Sequence, residues 1–169
     1  LHPGAARFVD ASHATVDMID ASGAVKAHAI IALEAAKDGF VNVDATFDVD
    51  EVNVAYVGTC FALADDEHLV GGGERFDGPD LRGHVVPAYF DAPGEYDSGT
   101  NESHAPVPFV ASNKGYAVLV DEERVGAFDV GVAHANATTL RFHGDALHLA
   151  LRTGAIVDDV AAFARRVGL

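Results

Sequence analysis

Nine histidines and 26 acidic residues in a chain of 169 are the side chains best equipped here for metal binding or proton transfer, and their spacing decides whether they form a site. A zinc enzyme sets two histidines four residues apart on one helix face. His13, His28, His68, His84, His104, His134, His143 and His148 are scattered instead. His143 and His148 flank Gly144-Asp145, a turn signal, and read as cross-strand neighbours. Asp44, Asp48, Asp50 and Glu51 lack the central Gly and closing Glu of an EF-hand loop and read as a solvated strand face. No metal site is predicted. Ser12-His13 and Ser103-His104 place a hydroxyl beside an imidazole, but neither serine stands on the Gly-x-Ser-x-Gly elbow of a hydrolase nucleophile. Paired carboxylates for glycoside chemistry cannot be singled out among so many acids. Cys60, in the apolar run Val57–Leu63, lacks electropositive neighbours to stabilise a thiolate and reads as a buried small residue. Gly71-Gly72-Gly73 does not suit a phosphate cradle, which must open a helix, because Asp77-Gly78-Pro79 breaks the chain too soon. A strand with a bulge or a close backbone approach accounts better for these glycines. The residues therefore predict no catalytic centre and no cofactor.

The elements that would carry these residues are mostly strands. Alternation with turn punctuation runs from Arg7 to Leu63, as in Ala14–Asp20 followed by Ala21-Ser22-Gly23. Val25–Ala36 has helix-compatible alanines, but strands on both sides and Asp38-Gly39 directly after it favour a hairpin arm. Further strand patterns cover 40–47, 52–63, 107–111, 116–120, 125–130, 139–142 and 146–151. From Ile156 the period changes: Ile156, Val157, Val160, Ala161, Phe163, Ala164 and Val167 recur at helical spacing. Asp158 and Asp159 stand early and Arg165 and Arg166 late, as the helix dipole favours. Residues 1–153 are expected to form an antiparallel β-sandwich and 154–169 a short C-terminal helix. Between Pro87 and Pro108 the composition shifts to Tyr, Asp, Gly, Ser, Thr and Asn without any period, and such long irregular loops are often functional.

Bulk properties narrow the classes. A formal net charge of −15, from 11 Lys and Arg against 26 Asp and Glu, disfavours contact with nucleic acid phosphates or anionic lipid. Neutral or cationic ligands remain. The longest apolar run, around Ala29–Leu33, falls far short of the roughly 20 residues of a membrane-crossing helix. The length suits one domain with a substantial core. A start at Leu1-His2-Pro3, with neither Met nor a signal-peptide pattern, reads as a processed or excised piece.

Four fragments in series carry a resemblance. Gly71-Gly72-Gly73-Glu74-Arg75-Phe76, Asp80-Leu81-Arg82-Gly83-His84, the run Val107–Asp121 with Ser112-Asn113-Lys114-Gly115-Tyr116 at its centre, and Phe128-Asp129-Val130-Gly131 are similar in order and spacing to family 31 glycoside hydrolases. That family includes α-glucosidases, α-xylosidases and related transglycosylases. The resemblance implies a galactose mutarotase-like β-sandwich that precedes a catalytic (β/α) barrel. The family's nucleophilic aspartate lies in a Trp-x-Asp motif of the barrel, and this chain contains no Trp, so the resemblance implies that the chain alone is inactive. Its implied partners are the barrel of the same polypeptide and an oligosaccharide or α-glycoside substrate. The final helix would lead toward that barrel. The long loop would help shape the sugar site, with Tyr96 as a stacking face and Asp97, Thr100 and Asn101 as hydrogen-bonding groups. Arg82 and Glu74 are open to two readings, an interdomain polar network or an internal bridge or cap. The rival functions are a free-standing carbohydrate-binding module and a structural domain without sugar affinity.

Overall fold

Alternation of apolar and polar residues becomes strand wherever one face can be buried, and in the computed structural model, which describes residues 1–48, 54–89, 103–121 and 123–168, it does so along most of the chain. The strands are β1 (His2–Phe8), β2 (His13–Ile19), β3 (Val25–Ala35), β4 (Val41–Asp48), β5 (Tyr56–Ala62), β6 (Leu69–Arg75), β7 (Val85–Pro87), β8 (Ser103–Ser112), β9 (Tyr116–Val120), β10 (Gly126–Val130), β11 (Ala137–His143) and β12 (Ala146–Thr153), followed by helix α1 (Ile156–Arg166). They form an eight-stranded sheet in the order β1-β2-β3-β4-β12-β9-β8-β6 and a four-stranded sheet in the order β5-β11-β10-β7. The pairings are antiparallel. Val25–Ala35 is the hairpin arm its flanks favour, not a helix.

The two sheets enclose the main core. Val118 and Val120 of β9, Leu147 and Leu149 of β12 and Val110 of β8 point into it from one side, and Phe128, Val130, Leu140 and Phe142 from the other. Phe128 and Phe142 meet edge to face with centroids 5.8 Å apart, a favoured aromatic geometry. Strand parity sends the intervening residues to the opposite face of the large sheet. There Phe109, Ala111, Ala117, Leu119 and Ala150 form a second buried cluster with Phe40 and with Ala162 of α1. Phe163 stacks on Phe109 at 4.5 Å between centroids. The molecule is thus a sandwich with one helix on the outside of its larger sheet.

Two readings from sequence are corrected. Cys60 is exposed, because Val57 turns inward and residues an odd number of positions away along β5 turn outward. His143 and His148 are not cross-strand neighbours: β11 and β12 belong to different sheets, so Gly144-Asp145 crosses between layers. In α1 the residues turned to the sheet are Ile156, Asp159, Ala162, Phe163 and Arg166. Val157 and Val160 are 78% and 46% exposed and, with Ala161 and Ala164, run along another side of the helix, whereas Val167 lies beside Phe163 and Arg166 at the groove against β8 and β9.

The glycine cluster is both bulge and close approach. Gly71, Gly72 and Gly73 have φ of 129°, 74° and 92°, and the β6–β8 register shifts between Gly71 and Gly73. A Cβ on Gly71 or Gly73 would collide with the carbonyl oxygen of Phe109 or Ala105. Only glycine tolerates both the left-handed backbone and the contact.

Candidate functional site: a cleft on the outer face of the smaller sheet

The four residues to which the resemblance assigns sugar contacts, Tyr96, Asp97, Thr100 and Asn101, lie outside the described residues, as do Asp50 and Glu51 of the acidic run. The described chain shows how the segment that contains them is anchored. On its C-terminal side Ser103 pairs with Arg75, and its hydroxyl donates to the Glu74 carbonyl at 2.7 Å. Arg75 and Asp77 form a bidentate pair, Nε to Oδ1 at 3.1 Å and Nη2 to Oδ2 at 2.9 Å, with side chains only 3% and 8% exposed. His84 Nδ1 lies 3.1 Å from the same carboxylate. A buried pair of this geometry is costly to break because either partner alone is left as an uncompensated charge. The end of the Gly71–Phe76 motif is thus fixed by a buried ion pair at the point where β8 begins.

On its N-terminal side the chain reaches Tyr89 at the rim of an open cleft of about 530 Å³. The floor is the outer face of the smaller sheet. Thr139, Arg141 and His143 share this face of β11 by strand parity. Arg141 is flanked by Gly58 of β5 on one side and Ala127 of β10 on the other, and two such small neighbours make the surface concave around it. Tyr56 lies opposite His143, their rings 4.1 Å apart and tilted by 52°. The Arg141 guanidinium lies 4.4 Å from the Tyr56 ring centroid, a cation–π contact that orients it. Val85 and Tyr89 wall the other side. Asp129, the acidic member of the lining, is engaged: its carboxylate accepts the Val132 and Ala133 amides at 2.8 and 3.2 Å and so fixes the turn after β10.

The remaining polar candidates resolve into structural roles. Arg82 is internal, donating from Nη1 to the Ala64 and Glu67 carbonyls at 2.7 and 2.8 Å and from Nη2 to the Ala135 carbonyl at 3.3 Å. Of its two readings the internal cap is correct. Glu67, almost fully buried, accepts from the Ser112 hydroxyl at 2.6 Å and the Ala64 amide at 3.0 Å. Burial alone would raise its carboxyl, but these donors outweigh it and hold it below the ordinary value. Tyr116, beside it, is pushed far above the usual phenol range, first by burial and then by the Glu67 carboxylate. Ser12, His13 and Asp10 do come together, but the Ser12 hydroxyl and Asp10 Oδ1 both approach the same imidazole nitrogen, at 3.0 and 2.9 Å. A relay needs both ring nitrogens, so this is a local turn. The Ser12 amide and then His13 bring the Asp10 carboxyl down to about 2. Among the described residues no three His, Cys, Asp or Glu side chains converge as metal ligands.

With fold and site in place, the relatives can be compared. The sequence profile of the glycosyl hydrolase 31 N-terminal galactose mutarotase-like domain matches residues 10–129. The chain belongs to that family. An alpha-xylosidase of Lactiplantibacillus pentosus is 28% identical over 97 residues, which span 57% of this chain and 12% of the xylosidase. Among solved structures, the cycloalternan-degrading enzyme of Trueperella pyogenes superposes with a TM-score of 0.62 at 16% identity, covering 92% of this chain and 26% of that enzyme. A family 31 sulfoquinovosidase of E. rectale gives 0.60 at 16% identity over 87% of this chain and 23% of the other. At such identities the likeness speaks for the fold, a mutarotase-like sandwich. The family 31 domain thus spans a small part of each of these relatives. Nothing in the histidine spacing or the strand alternation pointed to the cleft; the available signal was a small residue paired on each side of Arg141, readable only once the register is known.

Proposed function

We propose that this domain is the non-catalytic N-terminal sandwich of a family 31 α-glycoside hydrolase, that it supports the catalytic barrel of the same polypeptide, and that its long loop contributes Tyr96, Asp97, Thr100 and Asn101 to the substrate site. In this reading residues 1–153 form the sandwich and 154–169 lead toward the barrel. The family match and the second face of α1 support it. Val157, Val160, Ala161 and Ala164 make an apolar stripe on a helix whose other side is already packed, and such a stripe in water favours a further protein surface. The substrate is a neutral α-linked glucoside or xyloside, in keeping with the acidic charge of the domain.

The full-length enzyme encoded by the gene tests this reading. Replacing Tyr96 with Ala is expected to raise KM for an α-linked disaccharide about tenfold while leaving aryl α-glycoside turnover nearly unchanged, because only the disaccharide fills the leaving-group subsite. Unchanged kinetics with both substrates would remove the loop from the substrate site. The 169-residue chain by itself is expected to leave an aryl α-glucoside intact, and hydrolysis would overturn the non-catalytic assignment. Saturable binding of maltose or xylose oligosaccharides through Tyr96 by that chain would favour the free-standing carbohydrate-binding module instead.

A further inference from the structure

Acids outnumber Lys and Arg by 26 to 11 in this chain, so a guanidinium without a carboxylate partner is conspicuous. Arg7, Arg75, Arg124, Arg152 and Arg166 each meet an aspartate, Arg82 is occupied by three carbonyls, and Arg165 stands exposed in the last turn of α1, where the helix dipole favours a cation. Arg141 has no acidic partner among the described residues. Its guanidinium lies over the Tyr56 ring, a contact made through the face of the group that leaves its edge N–H donors without an acidic acceptor among the described residues. Two imidazoles, His134 and His143, share the cleft with it, and the one carboxylate there, Asp129, is turned to backbone amides. In a chain of net charge −15, this hollow holds a guanidinium whose one lining carboxylate is already hydrogen-bonded to backbone amides.

We propose that this cleft is a binding site for a glycan residue that carries a carboxylate, a uronic acid, distinct from the loop. Arg141 supplies the planar fork that matches a carboxylate with two parallel hydrogen bonds. Thr139 and the imidazoles supply donors and acceptors for hydroxyls. Gly58 and Ala127 leave the space above the floor for a pyranose ring, and Tyr89 and Val85 offer apolar surface to its C–H face. The repulsion of polyanions by the whole domain does not prevent this. Beyond a Debye length of about 8 Å at physiological salt, distant acids are screened, and of the two charged side chains in the lining Asp129 is hydrogen-bonded to backbone amides while Arg141 presents its donors to the ligand.

The site uses none of Tyr96, Asp97, Thr100 or Asn101, so it stands or falls independently of the loop reading. Calorimetric titration of the 169-residue chain with α-1,4-linked trigalacturonate and with the neutral α-1,4-galactotriose tests it, since the two differ only in their carboxylates. The acidic trimer is expected to bind at least tenfold more tightly. Arg141→Gln is expected to abolish that preference and Arg141→Lys to restore part of it, while Ala127→Leu, which fills the floor, weakens both sugars together. Circular dichroism of each variant confirms that the sandwich is intact. Equal affinity for the two trimers, no binding of either, or an acid preference that survives Arg141→Gln would overturn the proposal.

Discussion

The two outer faces of the sandwich treat their cations in opposite ways. On the larger sheet, α1 covers an apolar patch and Arg152 and Arg166 serve internal contacts there. Arg152 reaches Asp159, whose side chain is fully buried. Arg166 donates to Asp38 at 2.8 Å, Asn42 at 3.0 Å and Asp121 at 2.9 Å, with its guanidinium 5.4 Å from the Phe40 ring centroid. On the smaller sheet no helix covers the strands among the described residues, and Arg141 rests on an aromatic ring above two small residues. One face spends its charge on holding the fold, whereas the other leaves charge available to a ligand. Mutations should therefore affect stability on the first face and binding on the second.

The largest effect is expected at Arg152. Arg152→Ala strands the Asp159 carboxylate in an apolar contact, and losing one partner of a buried pair costs about 3–5 kcal/mol, readable as a lower midpoint in urea unfolding. Replacing both, Arg152→Met with Asp159→Leu, should recover most of that loss. If the single variant is as stable as the parent, the pair is not what holds the helix. A smaller loss, roughly 1–2 kcal/mol, is expected for Arg166→Ala, whose hydrogen bonds go to two part-exposed carboxylates and the neutral amide of Asn42.

This latch should also depend on pH. Burial opposes ionisation of Asp38, but the Phe40 amide and the Arg166 guanidinium outweigh it and keep its carboxyl below 3.8. A group depressed in the folded state stabilises fully above its unfolded value and loses that contribution as pH falls through the folded one. Acid unfolding of the parent below about pH 4 should therefore be steeper than that of Arg166→Ala, and parallel acid limbs would exclude the latch as the cause. The smallest effect is expected on the other face: Arg141→Gln should shift stability by no more than about 0.5 kcal/mol. A loss comparable to that at Arg152 would erase the distinction between the two faces.

How much of this could be read in advance differs from residue to residue. The strands of the core were legible because burial of one sheet face imposes a period of two, as at Leu140-Arg141-Phe142-His143. The glycine cluster was legible as bulge or close approach because few other needs place three glycines in a strand. Cys60 was misassigned because apolar neighbours indicate a strand but not which parity faces inward. His143 and His148 were misassigned because a Gly-Asp turn looks alike whether it folds a hairpin or carries the chain between sheets. Both apolar stripes of α1 fall at helical spacing, and only packing shows which one the sheet takes.

By itself, then, the sequence determined the family, the β-rich sandwich, the terminal helix and the place of the glycine bulge, since these follow from local period, turn chemistry and an ordered series of motifs. Tertiary structure decided what each polar side chain is for. Arg82, Arg141, Arg152 and Arg166 are alike in sequence, and they part only when strand register places carbonyls, a tyrosine ring or a buried carboxylate beside them. A long-range contact depends on which residues the fold brings together, and that information is spread over the whole chain.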